Sequence, residues 1–266
     1  AAFIKSFYRR SDMSMLELTP DFIKEFAAHL STEAGLRNGS IWANCMWLKG
    51  VVMKAHYNGL IPRNPFIQFH ISPNVKEREY LTEDELKAVM THEFADSKLA
   101  YIRDIFIFAS FTALSFVDIQ ELTNDNIVEV NGEKWILSKR HKTKVAFQVK
   151  LLDIPLQIIE RYKYLSEDKL VFGKINYWTM CKQLKKVMAE CGIEKQISYH
   201  CARHTFGTLA LSKGMPIESV SRVLGHTNIV TTQIYAKITT QKLDNDLTMF
   251  GNKLNASFRS EEHTSE

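Results

Sequence analysis

Apolar residues recur at helical spacing along most of this chain, and one short region breaks the pattern. Phe22, Ile23, Phe26, Ala27 and Leu30 share a helical stripe, and Thr19-Pro20 ahead of them supplies an N-cap and a proline at the first helical position. A second helix is predicted from Ser40 to about Tyr57, with Ile41, Cys45, Leu48 and Val52 on one side. Asn58-Gly59 ends it, and Ile61-Pro62-Arg63-Asn64-Pro65 reads as a loop. His70 to Glu79 is polar, aperiodic and contains Pro73, so it reads as a linker. Leu81-Thr82-Glu83-Asp84-Glu85-Leu86 then opens a new helix with a capping box, Thr82 with Glu85, and a hydrophobic staple, Leu81 with Leu86. A largely apolar helix follows around Leu99 to Phe111.

Residues 127–151 switch to a period of two. Ile127 to Val130, the turn Asn131-Gly132, and Trp135 to Ser138 predict a hairpin. A basic turn, Arg140-His141-Lys142-Thr143-Lys144, leads to a third strand through Phe147, Val149 and Leu151. Helical patterns resume at Leu156, Gly214 and Pro216 bracket a further helix start, and Gly225 is placed to end that helix. The fold class expected is mainly α with a small antiparallel β-sheet. The expected organisation is a helical domain over residues 1–70, a linker over 71–79, a mixed domain over 80–251 and a tail over 252–266.

Composition narrows the chemistry. With 266 residues the chain can bury two cores, and 45% hydrophobic with 24% charged residues describes a folding chain. The net charge of +4 is weak support for a nucleic-acid partner; residues 1–70 carry eight Lys/Arg against five Asp/Glu. Cys45, Cys181, Cys191 and Cys201 form no C-x-x-C pair, which argues against zinc and suits reduced cytosolic thiols. The apolar stretch Ile105 to Val117 is too short to span a bilayer, and no signal peptide is visible. The chain starts at Ala1 without an initiator Met, as expected of a piece of a longer protein.

The chemistry concentrates near the C-terminus. His200-Cys201-Ala202-Arg203 is an H-x-x-R pair, His226 follows the arginine by 23 residues in Leu224-Gly225-His226-Thr227, and Tyr235 follows by nine more. A phenol can attack phosphorus while a guanidinium and imidazoles hold phosphate oxygens and move protons, so this set can cut a phosphodiester without metal or other cofactor. Arg203 presents a planar fork suited to two phosphate oxygens. His200 lies a helical turn from Arg203 and suits proton transfer or a hydrogen bond to phosphate, with His226 as a second imidazole donor. Each residue alone has a plain reading: a packing tyrosine, a surface helix face. His204 is expected to point elsewhere on the helix as a structural residue.

The spacing and the G-H-T turn resemble the tyrosine recombinases, the integrase family that cuts and rejoins DNA. Gly59 to Pro65 resembles the end of that family's small helical core-binding domain. The resemblance implies a clamp of two domains around double-stranded DNA. It implies Tyr235 as nucleophile, giving a 3′-phosphotyrosyl link and a free 5′ hydroxyl. It aligns Lys142 with the catalytic lysine that protonates the departing oxygen, with Lys144 as a close rival and a solvated hairpin tip as the plain alternative. Basic residues in both domains, Arg37, Lys49, Lys54, Arg140 and Lys144, would contact phosphates. The implied assembly is a homotetramer on two DNA sites, with Leu243, Leu247 and Phe250 docking on a neighbour or packing on their own core. A DNA-bending accessory protein and a bacterial cytoplasmic, nucleoid-associated location also follow.

One position departs from the family pattern. Thr112-Ala113-Leu114-Ser115 stands where T-G-L-R is usual, and Asp118 fits the acidic position that follows. Ser115 offers one hydrogen bond and no charge. Integrases of Bacteroides-type conjugative transposons share this loss, which the chain also resembles. Asp118 is expected to brace its neighbours. Arg103, in the apolar helix upstream, is the expected replacement cation, with solvent or a structural carboxylate as its plain alternative. A catalytically impaired DNA-binding relative and a type IB topoisomerase remain the alternatives to a recombinase.

Overall fold

The computed structural model describes residues 2–73, 79–141, 145–164, 169–235 and 240–262. The chain divides into two compact units, Ala1–Glu77 and Arg78–Glu266. Each is built around its own core.

In the first unit, α1 (Ala2–Phe7) and α2 (Pro20–Thr32) meet α3 (Asn38–Tyr57). Thr19 Oγ1 accepts from the Phe22 amide, so the cap read from sequence is formed. Phe3, Phe22, Ile23, Val52, Ala55, Ile61 and Phe66 make the core, and Phe3 packs on the rings of Phe7, Tyr8, Phe22 and Phe26. α1 has too little periodicity to be legible in sequence; aromatic packing holds it. Trp47, Val51 and Lys54 lie at helical spacing on an exposed face of α3.

The second unit opens with α4 (Glu83–Thr91), whose capping box is complete: Thr82 Oγ1 accepts from the Glu85 amide and Glu85 accepts from the Thr82 amide. α5 (Ser97–Thr112) is the central helix, buried on nearly every side through Leu99, Ile102, Ile105, Phe106, Ile107, Phe108 and Ala109. It ends at Ala113, in the left-handed conformation at φ 56°. The short α6 (Phe116–Gln120) follows. Three strands then form an antiparallel sheet in the order β1 (Ile127–Val130), β2 (Glu133–Lys139), β3 (Ala146–Lys150). Asn131 and Gly132 both take positive φ, 52° and 78°, as the tight hairpin turn requires. Ile136 and Val149 face each other on the inner side, and so do Ser138 and Phe147.

α7 (Asp153–Tyr162), α8 (Tyr177–Glu190) and α9 (Cys201–Ser212) pack around α5. α10 (Ile217–Leu224) ends at Gly225, left-handed at φ 65°, and α11 (Val230–Gln233) precedes Tyr235. The last helix, α12 (Thr240–Glu262), runs through residues 251 and 252. Gly251 lowers the helical propensity there but does not stop the helix.

Arg103 is not beside Ser115. Its Nη1 donates to the carbonyls of Met90 (3.2 Å) and His92 (2.9 Å), closing the C-terminal end of α4, and its guanidinium lies 5.5 Å from the centre of the Phe94 ring. Its Nε is 2.5 Å from Asp104. The expected apolar company is real, but helix-end carbonyls and a carboxylate supply the charge with partners. Asp104 is buried and also accepts from Tyr162 Oη (2.7 Å) and Arg161 Nη1 (2.6 Å).

Removing that carboxylate leaves the Arg161 guanidinium and the Tyr162 phenol without their shared acceptor and takes the counter-charge from Arg103. Asp104→Ala should cost about 3 kcal/mol of stability. A lower midpoint in urea unfolding, at unchanged slope, checks this; an unchanged midpoint contradicts it.

Candidate active site

The site is built at the C-terminal end of α10. The last carbonyls of a helix have no partner within it and carry its negative end. Here two guanidiniums take them. Arg203 Nη2 donates to the Leu224 carbonyl (2.6 Å), and Arg140 Nη2 donates to the carbonyl of the preceding residue, Val223 (2.6 Å). Arg203, from the first turn of α9, also donates through Nη1 to the Ala113 carbonyl at the end of α5.

Arg140 corrects its sequence reading. Sequence places it on an exposed basic turn, but it is only 6% exposed. Its backbone amide donates to Val145 (2.8 Å), continuing the β2–β3 ladder by one residue beyond Lys139. Side chains alternate along a strand, so Arg140 falls on the inner face with Ile136 and Ser138. Its guanidinium stacks on Phe147 at 4.0 Å and donates through Nη1 to Asp118 Oδ2 (2.7 Å). It also rests on Gly225: a Cβ there would lie 2.8 Å from Nε and 3.0 Å from Cγ. Glycine at 225 thus serves both the left-handed turn and the close approach of Arg140.

Asp118 is hydrogen-bonded on both carboxylate oxygens. Its carboxylate accepts from Arg140, from Ser115 Oγ (2.7 Å, at the same Oδ2) and from the His141 amide at Oδ1 (3.2 Å). Ser115 caps α6, accepting in turn from the Asp118 amide (3.3 Å). Burial alone would raise the Asp118 carboxyl; hydrogen bonds from Ser115 and Arg140, with the Arg140 charge, outweigh it and hold Asp118 below its ordinary range.

Tyr235 is 9% exposed and packs against α9. The ring sits over Gly207, where a Cβ would lie 2.9 Å from Cγ and Cδ2. His204 lies beside it, with ring centres 5.2 Å apart, and His200 is 4.9 Å from His204 on the other side. His204 therefore does not point elsewhere: it stands between the two residues singled out as proton carrier and nucleophile. Its position one helical turn beyond His200 is the signal that could have placed it. His226 follows Gly225 directly, and its Nδ1 is 2.9 Å from Thr232 Oγ1, a partner that sequence reading did not supply.

The other expected residues scatter. Lys142 and Lys144 lie outside the described residues. Arg37 and Lys54 are exposed on the first unit, and Lys49 is half-buried there. Arg103 is in the second unit but serves the end of α4.

Burial, then Arg140, brings Arg203 down to about 10, so it stays charged at neutral pH. Burial, then the charges of Arg203 and Arg140, brings His226 from 6.5 to about 4, so its imidazole is neutral at neutral pH. An unfolded chain would protonate His226 near 6.5 and the folded site only near 4, so the unfolded state binds more protons in between. His226 should therefore contribute stability that is lost as pH falls from about 6.5 to about 4. Urea unfolding at a series of pH values checks this: the acid loss should be shallower in His226→Gln than in the parent, and parallel curves would contradict it.

The chain matches the phage integrase family over residues 79–242 and the phage integrase SAM-like domain over residues 1–71. The tyrosine recombinase XerA of Pyrococcus horikoshii is 32% identical over 177 residues, 61% of this chain and 58% of that protein. XerD of Listeria monocytogenes is 44% identical over 118 residues, 42% of this chain and 39% of the relative. This chain thus spans less than two thirds of these curated relatives. In fold it is similar to the Tn1549 transposon integrase in complex with circular intermediate DNA, with a TM-score of 0.73 at 16% identity over 92% of this chain and 91% of that one. It is also similar to a lambda integrase dimer bound to a core site, with a TM-score of 0.67 at 17% identity over 88% and 85% of the two chains. With both domain types matched in order and the helix-end cluster formed, the chain belongs to the phage integrase family, the tyrosine recombinases.

Proposed function

We propose that this chain cuts and rejoins duplex DNA at specific sites through a covalent link to Tyr235. The observation that carries the reading is the convergence of Arg203, His226 and Tyr235, from α9, the α10 turn and the segment after α11, around the end of one short helix. The phenol oxygen of Tyr235 attacks the scissile phosphorus and gives up its proton, with His200 as candidate acceptor. The bond from phosphorus to the 5′ oxygen breaks. That oxygen leaves with a proton, for which Lys142 is the candidate donor by resemblance. A 3′-phosphotyrosyl link remains, and the 5′ hydroxyl of another strand reverses the step. Bond energy is conserved in the link, so no nucleotide cofactor enters the balance.

Arg203 and neutral His226 suit the phosphate oxygens, one as a charged fork and one as a neutral donor. Asp118 and Ser115 act on the cations rather than on DNA. Arg37, Lys49 and Lys54 are proposed as phosphate contacts of the helical unit, beside the exposed Trp47–Val51–Lys54 face of α3. A DNA-bending accessory protein and action at the bacterial nucleoid belong to this reading by resemblance alone.

The assembly proposed is a homotetramer on DNA joined through α12. Leu243, Leu247, Phe250, Leu254 and Phe258 fall at helical spacing along it and are 39% to 65% exposed, so the stripe is not covered by its own core. A second copy of this chain is the proposed occupant.

Two measurements test the reading. Tyr235→Phe should abolish a denaturant-resistant protein–DNA adduct while non-covalent binding persists; an adduct from the Phe variant would remove Tyr235 as nucleophile. Leu247→Asp with Phe250→Asp should leave single-site cleavage intact and lose the complexes of higher order seen by native gel or light scattering. Unchanged assembly in that variant would take α12 out of the interface.

A further inference from the structure

Resting on the recombinase reading, the structure assigns the missing active-site cation to Arg140: the guanidinium at the end of β2 replaces the arginine that Ser115 lacks and neutralises the scissile phosphate beside Arg203. Four observations point there. Arg140 and Arg203 donate to the carbonyls of consecutive residues, Val223 and Leu224, so their guanidiniums are held side by side at one helix end. Arg140 is paired with Asp118, the acidic position that follows Ser115 in the motif. Ser115 and Arg140 hydrogen-bond the same carboxylate oxygen, each at 2.7 Å, so the short serine side chain leaves that oxygen open to a guanidinium arriving from elsewhere. Gly225, next to His226, lets Arg140 lie directly against the turn that carries this imidazole.

The hydrogen bonds from Arg140 to Asp118 and Val223 use one N–H on each terminal nitrogen, and each such nitrogen carries two. Arg203 is held in the same way, by one bond from each terminal nitrogen. Two guanidiniums and one carboxylate leave the cluster with one net positive charge. A phosphodiester anion balances it, which a purely structural salt bridge would not require. The electrostatic reach of Arg140 agrees: its charge weighs on both Arg203 and His226, the two groups assigned to the phosphate.

The bland alternative is that Arg140 only ties β2 to α6 and α10. A comparison of two substrates separates the two. When a methylphosphonate replaces the scissile phosphate, the transferred group loses its negative charge. A cation that neutralises that charge then matters less, whereas a structural brace matters equally on both.

The probe is a labelled pool of nicked duplexes with a randomised centre. The sequence recovered in covalent adduct with the full chain is resynthesised with a phosphodiester or a methylphosphonate. Arg140→Ala should slow adduct formation by about 10²–10³ on the phosphodiester, as loss of one transition-state donor does, with non-covalent binding retained. That loss should shrink at least about tenfold on the methylphosphonate. Ser115→Arg in the Arg140→Ala background should recover part of the phosphodiester rate, since Asp118 is then free to hold the new guanidinium. Cleavage by a folded Arg140→Ala protein at the parent rate overturns the assignment, and so does an equal loss on both substrates. If Arg140→Ala does not fold, Arg140→Lys decides on the same substrate comparison: a loss confined to the phosphodiester supports the assignment, and no loss or an equal loss overturns it. Absence of any adduct from the parent chain would instead overturn the recombinase reading, and this inference with it.

Discussion

The site depends on the unpaired carbonyl end of α10. That helix is eight residues long, and its C-terminal carbonyls at Val223 and Leu224 accept from side chains that reach them from β2 and α9. Through Arg203 the same point reaches the end of α5, and through Arg140 and Asp118 it reaches the start of α6. Four helices and a sheet are thereby joined by two guanidiniums. A neutral side chain could satisfy one carbonyl, but only a planar cation with several donors can hold two elements and keep N–H bonds to spare.

Holding two like charges together costs energy, and the surroundings show how the cost is met. Asp118 is kept ionised despite its burial, the negative end of α10 lies against both cations, and Phe147 offers its ring face to one of them. Burial, and after it what remains uncompensated of the two cations' charge, drives the proton off His226. The cluster is thus set for an anion: a phosphate placed between the guanidiniums would relieve their repulsion and favour protonation of the imidazole. On the proposed reading, donors fixed before the anion arrives would leave little reorganisation for the reacting step.

Much of the frame was legible because local rules governed it. Thr82 with Glu85, Thr19-Pro20, Asn131-Gly132 and the stop at Gly225 each involve residues within a few positions of one another, and each formed as read. The motif from His200 to Tyr235 carried the family in the same way. Arg103 and Arg140 were misplaced because their partners are remote. α5 is buried nearly all round, so helical spacing could name Arg103's apolar neighbours but not the α4 carbonyls that receive its charge. Arg140 begins a run of cations, so sequence alone groups it with the basic tip. The period of two from Ile136 through Ser138 already placed it on the inner face, had the strand been extended by two residues. Helical direction from Arg203 turns His204 away from the site, yet a side chain one turn beyond His200 shares its face.

Ser115 looks like a loss only when the motif is read as a string. An electrostatic site is specified by where charge stands, not by which element delivers it. An arginine at 115 would arrive from the start of α6 and meet Asp118 from its own helix turn; Arg140 arrives at the same carboxylate from the end of a strand, 22 residues after Asp118. The two routes meet at one carboxylate: Ser115 and Arg140 now share one of its oxygens, and a third cation beside Arg203 would have no further counter-charge. Serine is then the residue that the Arg140 route requires at this position: small enough to leave room, and with a hydroxyl that keeps Asp118 aligned and caps α6. The same logic makes glycine at 225 part of the arrangement, because the strand-end route brings the guanidinium across the turn before His226 rather than alongside it.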